Sequence, residues 1–285
     1  MSGGGDPAIG RRALLSTGGL AFLATARRAR AQAAGTRRIG FLGGASAAGY
    51  APLVEALVLG LRDHGYVAGK NITIEYRWAD GKYDRLAGLA AELVGQKVDL
   101  IVTQGTPAAL AAKKATPTIP IVMAIVGNPV ESGIVASYPR PGGNVTGSSF
   151  FWDELNAKRV ELLKMAVPGL VRAGVLINPD NPAMASVLRA MEERAQALKV
   201  RLQTLKVRRL DELDAVFQFA QKQTEGLTVL EDGLFLANPG AMADLATKHR
   251  MPSIGFEEYG EAGGLLAYGV DFPHIWRQSG VLVDK

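Results

Sequence analysis

Small polar residues followed by proline stand where apolar runs of this sequence end, and this pattern could bind an anion. Gly105, Thr106 and Pro107 follow the apolar run 98–103 after one residue, Gln104, and an alanine-rich stretch, expected to be a helix over 106–115, begins there. A helix that starts in this way leaves N–H groups free at its positively polarised end, and these can receive a carboxylate or a phosphate. Thr106 could add its hydroxyl to those groups, or it could cap its own helix and bind nothing. The sequence leaves both roles of Thr106 open.

Similar polar loops follow most of the other apolar runs. Ligands of parallel sheets bind beyond the carboxyl ends of the strands, so these loops are expected to line one cleft. The loops lie at 43–46, 105–107, 127–129, 178–182, 232–233 and 257–259.

The spacing of the polar residues does not fit the common enzyme sites. The glycines after the first apolar run lack the G-x-G-x-x-G spacing of a dinucleotide site, and no G-x-S-x-G elbow is present. The chain has no cysteine, which excludes disulfides and thiolate metal ligands. We therefore expect no catalytic group, no metal and no cofactor. The three histidines are expected near helix ends without carboxylates at metal-binding spacing: His64, His249 and His274.

Short apolar runs alternate with amphipathic stretches from Arg38 onward. This order predicts parallel β-sheets covered by helices on both faces, in an α/β fold. A glycine-rich stretch near 141–148 divides the pattern into two α/β halves. The expected strands are 38–43, 71–78, 98–103, 120–126, 172–178, 201–207 and 226–232, followed by 252–256 and 263–269, and a long helix is expected at 152–166.

The first 33 residues have the layout of an export signal. Arg11 and Arg12 precede the apolar stretch 13–26, and 31–33 reads A-x-A, which is a cleavage pattern. The paired arginines favour the twin-arginine route. Five arginines and one aspartate give this segment a charge of +4 out of the total of +5, so the remainder carries only +1. No basic surface for nucleic acid is expected there.

Several motifs, in this order, resemble the ABC transporter substrate-binding protein family, including its tryptophan-binding TrpX type. The resemblance extends over nearly all of residues 37–285. The motifs are GYVAGKN at 65–71, GTPA at 105–108, NPVESGIV at 128–135, PGGNVTG at 141–147, KRVELL at 158–163, Asn178-Pro179 and GGLLAYG at 263–269.

The resemblance implies a type I periplasmic-binding fold with two doubly wound lobes and a hinge. The first lobe would comprise 34–147 and be rejoined by 274–285, and the second would comprise 148–273. The family continues beyond the point where this sequence stops, so a truncated C-terminus is expected.

The resemblance also implies a small-molecule ligand, often an amino acid. A carboxylate would meet Thr106 and the neighbouring N–H groups, with Ser46 opposite. An ammonium group would need Asp232 or Glu257, and aromatic rings could flank an apolar side chain. The expected ligand-binding residues are Ser46, Gly105, Thr106, Asn128, Phe151, Asp232, Glu257 and Tyr268.

The function expected from these features is that of an exported, periplasmic solute receptor. It would be a monomer that delivers its ligand to an inner-membrane ABC permease with its ATPase. Two alternatives remain, a cytoplasmic ligand-sensing domain of the LacI type and an enzyme on the same scaffold. The export-like leader argues against the first, and the missing catalytic constellation argues against the second.

Overall fold

Strands and helices alternate along residues 36–285, the part of the chain that the structure, a computed structural model, describes. The leader predicted over 1–33 lies outside the described residues. The strands are β1 Arg37–Gly43, β2 Ile72–Trp78, β3 Leu100–Gln104, β4 Ile121–Val126, β5 Val145–Ser149, β6 Arg172–Ile177, β7 Arg201–Lys206, β8 Gly226–Val229, β9 Ser253–Gly255 and β10 Leu266–Ala267. The helices are α1 Ala51–Asp63, α2 Leu86–Gly95, α3 Gly105–Ala115, α4 Trp152–Ala166, α5 Met184–Ala197, α6 Leu213–Gln223, α7 Gly233–Leu236, α8 Pro239–Lys248, α9 Glu257–Glu261 and α10 Phe272–Asp284, with 3-10 turns at Tyr83–Arg85 and Leu210–Glu212.

The strands form two five-stranded sheets with the same winding. The first sheet has the order β2-β1-β3-β4-β5, and the second has the order β7-β6-β8-β9-β10. The pairs β1–β3 and β3–β4 are parallel, as are β6–β7 and β6–β8. In each sheet, successive strands of the chain are first added toward one edge and then toward the other. The change occurs between β1 and β3 in the first sheet and between β6 and β8 in the second. The predicted α/β fold of two doubly wound parallel sheets is confirmed.

Helices cover both faces of each sheet, which explains the continuous apolar runs of the central strands. All six residues of β4 are buried. Helices α1 and α10 pack on one face of the first sheet, and α2 and α3 pack on the other. In the second sheet, α4 and α5 lie on one face and α6 and α8 on the other. We call each sheet with its helices a lobe, the first built on β1–β5 and the second on β6–β10.

Strand β5 was not expected from the sequence, where Gly142, Gly143 and Gly147 indicate a crossover. The strand forms because Val145 and Thr146 pair in parallel with β4. Gly147 is needed at this edge, since a Cβ there would lie 2.3 Å from the carbonyl oxygen of Met123. A glycine required by close approach of two backbones lowers the strand propensity of the segment, and so conceals it in the sequence.

Helix α10 packs against α1 and β4 of the first lobe although it follows the second lobe in the chain. The two helices cross at Gly60 and Gly280, where a Cβ on Gly280 would lie 2.4 Å from the carbonyl carbon of Gly60. Trp276, on the same helix, is fully buried, and its ring centroid lies 5.9 Å from that of Phe41 in β1. The chain therefore passes between the lobes at 149–152 and again at 267–272.

The lobes also touch directly at their facing edges. A Cβ on Gly49 would lie 2.4 Å from the Cβ of Ala237 on the other lobe. Contacts among residues 38–285 make them a single compact unit. Within residues 36–285, every helix is too short or too polar to cross a bilayer.

Candidate functional site

A cavity opens where the carboxyl ends of the two sheets face each other. It holds about 450 Å³ of space free of protein atoms, counted to its open mouth. Gly44 and Gln104 border it from the ends of β1 and β3, and Asn181 and Asp232 border it from the loops after β6 and β8. The cavity thus lies at the reversal point of both sheets, where doubly wound folds bind ligands.

The first turn of α3 borders the cavity on the side of the first lobe. Gly105 has φ of 75°, a left-handed conformation that favours glycine and turns the chain from β3 into the helix. The cap position belongs to Gln104, whose side chain makes no capping bond and accepts the N–H of Gly44 at 3.3 Å instead. Thr106 is the second helical residue and is 3% exposed. Its predicted alternative role as the cap of its own helix is therefore wrong, because the helix begins at Gly105 and its cap position falls at Gln104.

Asp232 borders the cavity on the side of the second lobe and accepts four donors. Its Oδ1 accepts the side-chain amide of Asn178 at 3.1 Å and the N–H of Leu234 at 3.0 Å, which caps α7. Its Oδ2 accepts the amide of Asn181 at 3.0 Å. The hydroxyl of Tyr83, from the first lobe, lies 2.9 Å from both carboxylate oxygens. Asp232 therefore joins the two lobes across the cavity.

Burial opposes the charge of this carboxylate while its hydrogen bonds favour it. Burial is the largest cause that raises the pKa of Asp232, and the donors from Leu234, Asn181, Asn178 and Tyr83 partly offset it. Burial also raises the pKa of the Tyr83 phenol well above its usual range, and the charge of Asp232 adds to this effect. Tyr83 consequently stays a hydrogen-bond donor at neutral pH.

A second carboxylate at the cavity, that of Glu231, is already paired. It forms an ion pair with Arg159, and both side chains are almost fully buried. Among the described residues that line the cavity there is no lysine, arginine or histidine. Asp232 is therefore the uncompensated charge of the cavity, and any anionic group bound there would depend on the N–H groups of α3.

The remainder of the lining is apolar and partly aromatic. The rings of Phe150 and Phe272 meet edge to face with centroids 5.6 Å apart. Trp152 stands beside Phe150, with centroids 6.2 Å apart. Ile125 and Leu236 add aliphatic surface. The cavity therefore has a polar side, between α3 and Asp232, and an apolar side near the crossover at 149–152.

The structure brings three of the eight expected site residues to this cavity, namely Gly105, Thr106 and Asp232. The hydroxyl of Ser46 accepts the N–H of Gly49 in a turn. Asn128 accepts the N–H of Glu131 in its own loop. The lining does not include the remaining three either: Phe151 is 78% exposed and borders a separate surface groove, Glu257 is exposed at the start of α9, and Tyr268 is 40% exposed.

Several residues that line the cavity were not expected from the sequence. Asn181 and Glu231 stand in or beside loops recognised at strand ends, so their positions carried a signal. Tyr83 follows a turn rather than a strand, and nothing local marks it as a cavity residue. Phe150 and Phe272 come together only because the chain crosses between the lobes twice.

Residues 36–285 contain no cluster of three or more histidine, aspartate or glutamate side chains that could hold a metal ion. The polar lining offers one carboxylate without a cationic partner, that of Asp232, together with a phenol, amides and the N–H groups of a helix terminus. This set can bind a ligand that carries both an ammonium and a carboxylate group.

Residues 46–285 match the protein family described as ABC transporter substrate binding protein. A tyrosine-binding protein from Clostridioides difficile (strain R20291) is 30% identical over 230 residues, which are 80% of this chain and 66% of that protein. The chain thus spans slightly less than two thirds of the length of this relative.

Two solved structures share the fold. An ABC domain in complex with L-Trp from Streptococcus pneumonia has a TM-score of 0.79 at 22% identity, over 87% of this chain and 83% of that chain. The ligand-free, open structure of a substrate binding protein with adhesive properties from Clostridium difficile has a TM-score of 0.58 at 25% identity, over 87% and 84%. The predicted type I periplasmic-binding fold is thereby confirmed. Since the family match covers most of its length, the chain belongs to the ABC transporter substrate-binding protein family.

Proposed function

We propose that this protein is the exported receptor of an ABC importer and binds an L-amino acid with an aromatic or large apolar side chain. The observation that carries the proposal is the opposition of Thr106 and Asp232 across one cavity. A helix N-terminus on one lobe and a buried carboxylate on the other match the two charges of an amino acid. The tyrosine-binding relative and the L-Trp complex support the same ligand class.

The ligand's carboxylate would accept the hydroxyl of Thr106 and the free N–H groups of the first turn of α3. Its ammonium group would bind Asp232. A carboxylate offers about four lone-pair positions, and Asp232 already accepts four donors, so the ammonium would replace one of them. Tyr83 is the donor that comes from the other lobe, and we assign the exchange to its hydroxyl.

The ligand's side chain would occupy the apolar side of the cavity, between Phe150, Trp152 and Phe272. Burying an aromatic side chain there contributes on the order of 2–3 kcal/mol. Contacts between the ligand's ring and these aromatic side chains add roughly 0.5–1.5 kcal/mol. A ligand without a large apolar group would forgo both contributions, so we expect aromatic amino acids to bind more tightly than alanine.

The arrangement of the lobes supports a closed, ligand-competent form. The TM-score is higher with the L-Trp complex, at 0.79, than with the ligand-free, open protein, at 0.58. The hydrogen bond between Tyr83 and Asp232 spans the lobes in this form. Closure around a ligand is the usual motion of hinged binding proteins.

The proposal also covers export of the protein, its location and delivery of the ligand. Members of this family lie outside the cytoplasm, bind small molecules and work with ABC permeases. We assign the leader 1–33 to export by the twin-arginine route and the mature protein to the periplasm, as a monomer that transfers its ligand to the permease and catalyses no reaction. We take the lobe boundaries at the two crossovers, after β5 and before α10, close to the limits expected from the sequence, which were 34–147 with 274–285 for the first lobe and 148–273 for the second.

Thermal unfolding against a panel of amino acids, organic acids and sugars tests the ligand class. A ligand at 100 times its Kd stabilises the folded protein by about 2.7 kcal/mol, which corresponds to a rise in Tm of roughly 5–10 °C for a protein of this size. We expect this rise with L-tyrosine or L-tryptophan. The Asp232→Asn variant should lose it, because the amide cannot compensate an ammonium charge. A rise with sugars alone would overturn the ligand class.

A further inference from the structure

Trp152 is held in the cavity wall by contacts on two sides. Its indole N–H donates to Oε2 of Glu231 at 2.7 Å. Its ring packs against the first lobe at Gly127, where a Cβ would lie 2.4 Å from Cε3 of the indole. The side chain is 3% exposed and stands at the first position of α4, at the end of the crossover at 149–152. The indole therefore has one orientation, set by a hydrogen bond in the second lobe and a backbone in the first.

Glu231 connects that indole to the interior of the second lobe. Besides the indole N–H, its Oε2 accepts the side-chain amide of Asn156 at 3.0 Å. Its Oε1 accepts the guanidinium of Arg159. Three donors converge on this carboxylate, and it is 5% exposed. The carboxylate oxygens of Glu231 thus accept hydrogen bonds from Trp152 and the rest of α4, and they do not face a ligand in the cavity.

Arg159 joins three separate segments to this carboxylate. Its Nε donates to the carbonyl oxygen of Tyr268 at 2.7 Å, and its Nη1 donates to that of Val229 at 3.2 Å. Nη1 also donates to Oδ1 of Asn156 at 2.8 Å. The end of β8, helix α4 and the chain that leads from β10 into the second crossover are therefore fixed to one another.

A buried ion pair of this kind needs a reason beyond stability. Taking both charges out of water offsets much of their attraction, so well-packed apolar residues are often equally stabilising in such places. What apolar residues could not supply is the directional acceptor that fixes the plane of Trp152. Because that indole forms part of the cavity wall, fixing its plane affects how a ligand binds.

We propose that Glu231 and Arg159 are positioning residues for ligand recognition, which fix the indole of Trp152 as the wall that contacts the ligand's apolar side chain. The inference deepens the proposed function and rests on it for the identity of the ligand. Neither residue needs to touch the ligand. Their removal should change affinity for aromatic amino acids through the orientation of Trp152.

The test is the Glu231→Gln variant, with Glu225→Gln as its matched control. Glutamine keeps the shape, but its single amide oxygen cannot accept all three donors. The guanidinium is the strongest donor and retains that oxygen, so the N–H of Trp152 then faces an NH₂ group. Glu225 also belongs to an ion pair of the second lobe, with Arg172, but this pair is partly exposed and does not line the cavity.

Two readouts are measured on folded protein. The first is the Kd for L-tyrosine by calorimetry, which we expect to rise about tenfold or more in Glu231→Gln, equivalent to the loss of about one hydrogen bond, and to stay within about twofold in Glu225→Gln. The second is the fluorescence of Trp152, taken as the difference between each protein and its Trp152→Phe derivative. We expect it to change in Glu231→Gln without ligand.

An unchanged Trp152 signal in folded Glu231→Gln overturns the proposal, as does a changed signal with unchanged affinity for L-tyrosine. If the wild-type protein binds no amino acid, the proposed function fails, and the Trp152 signal alone still decides whether Glu231 orients the indole. If Glu231→Gln does not fold, Trp152→Phe replaces it, since it keeps the ion pair and removes only the donor and the larger ring. Unaltered affinity for L-tyrosine in that variant would equally contradict the proposal.

Discussion

Glu258 should make the stability of this protein fall as the pH rises from acid to neutral. The residue lies partly buried on α9, and its Oε2 has no hydrogen-bond partner among the described residues. Burial raises the pKa of Glu258 from 4.5 to about 7, and the charges of Glu257 and Glu261 on the same helix contribute to this increase. The folded protein therefore retains a proton that the unfolded chain has already lost.

The sign and size of the effect follow from proton linkage. Between the unfolded and the folded pKa the native state binds more protons, so the free energy of unfolding decreases with rising pH in that window and levels off above it. An increase in the pKa from 4.5 to about 7 corresponds to roughly 3 kcal/mol. Because Glu258 is partly exposed, we take this figure as an upper bound.

The Glu258→Gln variant should be up to about 3 kcal/mol more stable than wild type near pH 8, and nearly equal to it near pH 5. Urea denaturation followed by tryptophan fluorescence at both pH values measures this difference. Glu261→Gln is the control, since it removes an exposed carboxylate from the same helix and should change stability by less than about 0.5 kcal/mol. A difference between Glu258→Gln and wild type that is the same at both pH values would refute the reasoning.

Two further changes test how the helices and lobes are held. Gly60→Ala should lower the free energy of unfolding by about 1–3 kcal/mol, because its Cβ would lie 1.9 Å from the carbonyl oxygen of Arg277. The control is Gly88→Ala on α2, where a Cβ would meet no other atom, so its thermal stability should be unchanged or higher. Equal losses of stability in the two variants would argue against the close contact between α1 and α10. Tyr83→Phe removes the hydroxyl that bonds Asp232 across the cavity, worth about 1.5–3 kcal/mol. It should enlarge the radius of gyration in X-ray scattering without ligand, and an unchanged radius would show that this bond does not hold the lobes together.

Much of the fold could be predicted because its signals are local. Helix α4 occupies Trp152–Ala166, where a long helix was expected, and the buried strands read as apolar runs. Strand β5 was missed because Gly147 serves a backbone contact rather than strand propensity. Tertiary contacts decide such positions, and a single sequence does not display them.

The candidate site was predictable only where it coincides with strand ends. Thr106 and Asp232 stand within three residues of the ends of β3 and β8, so the topology of a parallel sheet brings them to the cavity. Tyr83 comes from a 3-10 turn beside the first sheet, and its partner lies on the other lobe. Phe151 was expected in place of its neighbour Phe150 because the sequence does not reveal which side chain of a crossover faces inward.

The most direct test of the central claim is a calorimetric titration of the wild-type protein with three matched compounds: L-tyrosine, tyramine and 3-(4-hydroxyphenyl)propionate. The first has both charged groups, the second lacks the carboxylate and the third lacks the ammonium. If the first turn of α3 and Asp232 hold the two groups, L-tyrosine should bind, and each analogue should bind about 10–100-fold more weakly, as expected for the loss of charged hydrogen bonds. Binding of tyramine or of the propionate as tight as that of L-tyrosine would contradict the account.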